Sequence, residues 1–237
     1  MAVAHTARVL AALLALAAPA AAQQIVGAAY EAPSTRYPHG VLGDTEEWGT
    51  LALALSDGRL RRIVLPETRV FEDTGPRLVD LDGDGAPEVI AVESHRDLGA
   101  RLVIHGPEGE IAASPHIGTR FRWLAPLGAA DLDGDGRIEI AWIDRPHLAR
   151  ILRVWRFESG TLAPVAELPG LTNHRIGERD IAGGIRDCGT GPEIVVASAD
   201  WTRLRAVSLT GTTLRARDIG AHDNRESFAR ALACADR

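Results

Sequence analysis

The sequence predicts an all-β fold built from a repeated four-stranded unit. Three observations carry this. An acidic motif running into an apolar stretch starts at Asp80 and recurs at Asp131, 51 residues later. Each occurrence is followed by further short apolar stretches parted by turn residues. The composition has 24 Gly and one Met, which suits short strands and tight turns better than a helical bundle. With 237 residues, 46% hydrophobic and 24% charged, the chain can bury a real core, and a disordered, collagen-like or disulfide-dense chain is excluded. A formal net charge of -6 argues against a nucleic-acid partner.

Residues 1–22 carry a short basic segment, an apolar run from Val9 to Ala18 and a small-residue end, Pro19-Ala20-Ala21-Ala22. These are the parts of a secretory signal peptide. Residues 23–237 are then one exported domain. That domain has no long apolar stretch, so no membrane span is expected.

The units follow in order. A first copy has Val41-Leu-Gly-Asp44 in place of the acidic motif, then strands at 49–55 and 60–65. The second runs from Leu78 through Val92, with strands at 101–105 and around Ile111. The third runs from Ala129 through Ile143, with strands at 150–155 and 162–168. A worn fourth copy keeps Gly191-Pro-Glu193-Ile-Val-Val-Ala197 and strands at 203–209 and 214–219, but its acidic ladder is broken. Ser227 to Asp236 resembles Arg120 to Asp131 and reads as the first strand of another unit, while Ile25 to Pro33 reads as a last strand. Four strands per repeat predict a small β-propeller of four or five four-stranded blades, one of them closed by the N- and C-terminal strands.

Cys188 and Cys234 are the two cysteines. In an exported chain an even pair is a disulfide or two buried thiols. The predicted closure sets Cys234 beside the worn loop that holds Cys188, which favours the disulfide.

The acidic loops carry the chemistry. Asp80, Asp82 and Asp84 alternate, Gly85 permits a sharp turn, and Glu88 stands ninth. With the Ala86 carbonyl at position seven, these oxygens can wrap a Ca²⁺. The second loop offers Asp131, Asp133, Asp135, the Arg137 carbonyl and Glu139. An all-oxygen set selects a hard cation, and a flexible loop prefers Ca²⁺ to Mg²⁺. An EF-hand is rejected, because Ala91 and Trp142 stand at position twelve and a strand follows the loop. Two Ca²⁺ per chain are expected, and none at the loops holding Asp44 or Asp187.

The two D-x-D-G-D-G-x-x-E loops and their apolar strands resemble FG-GAP repeats, also called VCBS repeats, of integrin-like propellers. That resemblance implies Ca²⁺ held by Asp80, Asp82, Asp84, Glu88, Asp131, Asp133, Asp135 and Glu139, and a role in adhesion, ligand binding or carbohydrate contact. The expected function is an exported calcium-binding propeller, monomeric, acting as a binding or scaffold module for a protein or carbohydrate. The alternative is a secreted or periplasmic hydrolase with its site on the propeller axis. The sequence has no G-x-S-x-G, H-E-x-x-H or phosphate-loop motif, so no catalytic residue is assigned. His39 or His174 with Glu47 or Glu178 is the acid–base pair such a hydrolase would use. Trp142 and Trp155 read as core; Trp48, Trp123 and Trp201 are the stacking candidates if exposed.

Overall fold

The apolar runs become the middle strands of antiparallel sheets. The structure, a computed structural model, describes residues 23–235, and the expected signal peptide lies outside them. The first unit contains β1 (Ile25–Ser34), β2 (Glu47–Leu55) and β3 (Leu60–Val64), hydrogen-bonded in that order. In the second, β4 (Arg69–Phe71) and β5 (Arg77–Val79) lie end to end along β6 (Glu88–His95), followed by β7 (Gly99–Gly106) and β8 (Gly109–Ala113). The third is a continuous meander of β9 (Leu124–Ala130), β10 (Glu139–Asp144), β11 (Ile151–Glu158) and β12 (Thr161–Pro169). The fourth again splits its first strand, into β13 (Leu171–Thr172) and β14 (Gly184–Asp187), along β15 (Pro192–Ser198), then β16 (Arg203–Thr210) and β17 (Thr213–Ala221). A helix, α1 (Arg225–Leu232), follows. Trp48 opposite Phe71 joins the first two units into an eight-stranded sheet; the others form sheets of four and five strands.

The units stack face to face, so their middle strands are buried on both sides. All six residues of β10 and seven of the eight in β6 are buried. Ile90, Leu102, Ile140 and Trp142 fill the seam between units two and three. Val154, Leu152, Val196 and Val207 fill the seam between three and four. Burial on both faces is why these strands read as unbroken apolar runs, without alternation.

Two sequence expectations are corrected here. Residues 227–235 do not form a closing strand, and Asp236 lies outside the described residues; Arg225–Leu232 is helical. Asn224 caps it by accepting from Ser227 N, while the Ser227 hydroxyl reaches back to the cap, completing a capping box. Phe228, Ala231 and Leu232 recur at helical spacing and pack on Val195, Ala197 and Leu204 of the fourth sheet. Nor is Ile25–Ser34 the last strand of a shared blade: it runs beside β2 as the first strand of its own unit, and Val41–Asp44 forms a turn instead. The Cys188–Cys234 disulfide is nonetheless present, with Cα atoms 5.7 Å apart, and it ties the end of the helix to the worn loop.

The loops that lead toward the inner strands meet one another. Tyr37 accepts from Phe121 N at 2.9 Å, Trp123 Nε1 donates to the Glu72 carbonyl at 2.8 Å, and Gly177 N donates to the Val41 carbonyl at 3.0 Å. All four units thus touch at one end. The acidic loops leave the other end of the inner strands; β9, for instance, separates Trp123 from Asp131 by seven residues, about 23 Å of extended chain.

Candidate metal centres

The two acidic loops share one backbone design. Each leaves an inner strand, turns at two glycines, and re-enters the sheet at a buried glutamate. Gly83 and Gly85 have φ of 77° and 87°, and Gly134 and Gly136 have 78° and 86°, values in the left-handed region that side chains disfavour. In each loop the first aspartate accepts backbone N–H bonds from both glycines, and Asp131 also takes Asp135 N at 3.0 Å. Asp80 takes Gly83 N at 2.8 Å and Gly85 N at 3.0 Å; Asp131 takes Gly134 N at 2.8 Å and Gly136 N at 2.9 Å. The glutamate is pinned likewise: Glu88 Oε2 accepts from Leu81 N and Glu139 Oε2 from Leu132 N, both at 2.9 Å.

These bonds gather carboxylates. Asp80, Asp82 and Glu88 each offer an oxygen within 4.8 Å of the other two, as do Asp131, Asp133 and Glu139. Asp84 and Asp135 stand outside these groups and accept from the backbone N–H groups of Ala86 and Arg137, at 2.7 and 3.0 Å. Hard, anionic oxygens at this spacing fit a divalent cation such as Ca²⁺ and offer nothing to a soft metal. Burial pushes the Glu88 carboxyl up, opposed by the Leu81 N–H and reinforced by the three aspartates. Burial also pushes Glu139 up, opposed by the Leu132 N–H and by Arg156.

Arg156 separates the two loops. All 26 basic residues of the chain are arginine, and this one lies across the second loop. Its Nε donates to Glu139 Oε1 at 2.5 Å, and its Nη2 is within 3.4 Å of Asp133 Oδ2 and 3.2 Å of Asp135 Oδ2. Arg137 also pairs with Asp135, and its hydrogen bond there pulls that carboxyl down to about 2. Among the described residues, Asp80, Asp82, Asp84 and Glu88 have no ion pair. In the worn fourth unit Glu193, the counterpart of Glu88, sits between Arg186 and Arg217, both at 2.7 Å. Sequence reading missed Arg156 because it lies a strand away from the loop; its register opposite Glu139 is the missing signal.

At the opposite end, the sequence's acid–base candidates find other partners. His39 Nδ1 lies 2.5 Å from Glu72 Oε1, not against Glu47. Glu72 is fully buried, and Ser94 donates to its other oxygen. His174 Nε2 donates to the Glu178 backbone carbonyl at 2.9 Å, not to its carboxylate. With that N–H fixed, Nδ1 of neutral His174 accepts from His147 Nε2 at 3.0 Å. Burial, with His174 beside it, holds His147 down at about 4. The cavity bounded by His39, Phe121, Trp123 and His147 measures about 20 Å³, room for one water. Trp123 and Trp142 are buried, and Trp142 lies 5.6 Å from Trp155.

Glu47 is buried near this network, and burial together with Glu72, Asp44 and Asp73 pushes it up to about 9. A carboxyl raised in the folded state contributes stability that is whole below its unfolded pKa, near 4.5, and is lost as pH climbs toward 9. Glu47→Gln should therefore raise Tm at pH 8 and leave it nearly unchanged at pH 4.5. Equal shifts at both pH values in thermal melts would refute a protonated Glu47.

Comparison with known proteins places these loops in a family repeat. Residues 80–142, which hold both loops, match the FG-GAP-like repeat family. No curated protein sequence matches the chain. Among solved structures, a rhamnogalacturonan lyase is similar at 15% identity and a TM-score of 0.44, over 74% of this chain and 45% of that one. The chain spans under half the length of that enzyme. Among the described residues, no helix is long and apolar enough to cross a membrane.

Proposed function

We propose that this chain is an exported, calcium-stabilised binding module, its four units serving as the blades of a small propeller. One observation carries the reading: two loops of the same design each gather three carboxylates within 4.8 Å, inside the stretch that matches the FG-GAP-like repeat. The first loop would hold Ca²⁺ through Asp80, Asp82 and Glu88, with Asp84 and the Ala86 carbonyl completing the shell. The second would do so through Asp131, Asp133 and Glu139, with Asp135 and the Arg137 carbonyl. Bound cation cancels the repulsion among the carboxylates and fixes the turns, so its contribution is to stability and shape. The disulfide suits an oxidising compartment and supports export. The partner is a protein or carbohydrate taken by the monomer.

Calorimetry on chelated protein should register two Ca²⁺ per chain. Asp82→Ala and Asp133→Ala should each remove one and lower Tm in Ca²⁺ buffer. Absence of heat from any site, or equal Tm with Ca²⁺ and with excess chelator, would refute the reading.

A second reading, a hydrolase, is favoured by the His39–Glu72 pair at the converging loops. The cavity beside it admits about one water, which ranks this reading below the first.

A further inference from the structure

We infer that Arg156 acts as a built-in counter-ion of the second acidic loop, so that the two loops bind Ca²⁺ with unequal affinity and the loop at 80–88 is the tighter. The inference rests on the calcium reading above and assigns a role to a residue outside both loops.

Four observations carry it. Arg156 stands on β11 directly opposite Glu139 on β10, so the sheet itself delivers the guanidinium to the loop. The corresponding place in the second unit is occupied differently: the register pairing Val89 with His105 brings Gly106 opposite Glu88, and glycine has no side chain to offer. Arg156 is held in place on three sides, by Glu139, Asp133 and Asp135, and its side chain is 13% exposed, so it is not a solvated rim charge. The fourth unit reaches a similar balance from other strands: its ladder of aspartates is gone, and Glu193 pairs with Arg186 of β14 and Arg217 of β17. The same glutamate position thus meets no guanidinium in unit two, one in unit three and two in unit four.

The consequence follows from electrostatics. A cation entering the loop at 131–139 must displace Arg156 from Glu139 and Asp133 or share their oxygens with it, against a fixed positive charge. A cation entering the loop at 80–88 meets uncompensated carboxylates. Before any ion arrives, the second loop is already partly neutralised, so it gains less from binding. A guanidinium stays charged at any pH the fold survives, so the difference persists across conditions.

The test is Ca²⁺ calorimetry on the full, disulfide-bonded chain and its variants. In the wild type, two affinities at least about tenfold apart are expected. Asp82→Ala should erase the tighter one and Asp133→Ala the weaker one. Arg156→Gln, which keeps the side chain polar while removing its charge, should tighten the weaker site by about tenfold and leave the tighter one unchanged. Equal affinities in the wild type would overturn the inference, and so would mapping the tighter site to 131–139. If Arg156→Gln fails to fold, the assignment by the two aspartate variants still decides, because both retain Arg156. No uptake by the wild type would sink the calcium reading as well, whereas two equal sites would sink the role of Arg156 alone.

Discussion

Glu72→Ala should destabilise the fold by about 3 kcal/mol, the range for breaking a buried charged hydrogen-bond network on one side. Glu72 is fully buried, and its two oxygens hold different groups: His39 Nδ1 at 2.5 Å and the Ser94 hydroxyl. Alanine leaves both without that acceptor and opens a void between His39 and Ser94. It also uncouples units, because His39 belongs to the loop between β1 and β2 while Ser94 lies on β6. His39 stacks on Phe121 with ring centroids 5.0 Å apart, so its release loosens the third unit's entry as well. For a chain of this size the loss corresponds to roughly 6–12 °C in Tm. Glu72→Gln keeps the shape and one acceptor and should cost less. Denaturant unfolding of Glu72→Ala, His39→Ala and the double variant would measure the coupling; additive losses would mean the pair does not hold the loops together.

Reducing the disulfide is the second large effect. The bond joins residues 46 apart, so opening it restores freedom to the unfolded chain worth roughly 2–4 kcal/mol. The folded state loses locally too. Phe228 and Ala231 cover Val195, Ala197 and Leu204, and Arg186 donates to the Ala231 carbonyl. Without Cys188 to hold Cys234, α1 is eight residues long and kept in place by this small patch and its cap. Reductant should lower Tm and speed amide exchange first across 225–232. Non-reduced digestion should yield a peptide joining the two cysteines. Exchange unchanged in the helix after reduction would show that the patch alone suffices.

The sequence disclosed those parts of the fold whose physics is local. Residues 88–92 and 139–143 were legible as strands because burial on both faces leaves a continuous apolar run. The acidic loops were legible because glycines and aspartates at fixed offsets encode the turn and the donor set together. The disulfide was foreseen, though through a closing strand that does not exist. Residues 227–236 carry small and apolar residues that fit either period, and what decides is the Asn224–Ser227 cap and the open face of β15 and β16. The broken inner strands were illegible for a related reason. Residues 72–76 and 173–183 leave the ladder to reach loops of other units, and nothing nearby in sequence announces Trp123 or Val41 as partners. Glu72 and Arg156 gain their roles only from residues across the sheet.

The outermost strand of each unit has a bearing on how the molecule behaves in a crowd. β3 presents Arg61 and Arg62, paired with Glu108 and Glu31. β8 is five residues long and irregular in register, and β12 carries Pro164 at a register shift. β17 carries Arg215 and Arg217 among mostly exposed residues. A second copy attempting to add a strand meets, in turn, ion-paired charged side chains, too short a ladder and a missing N–H. With no lateral growth available at these borders, concentrated protein should resist seeding cross-β stacks, and its surface stays free for partners that approach the loop ends instead of the rim.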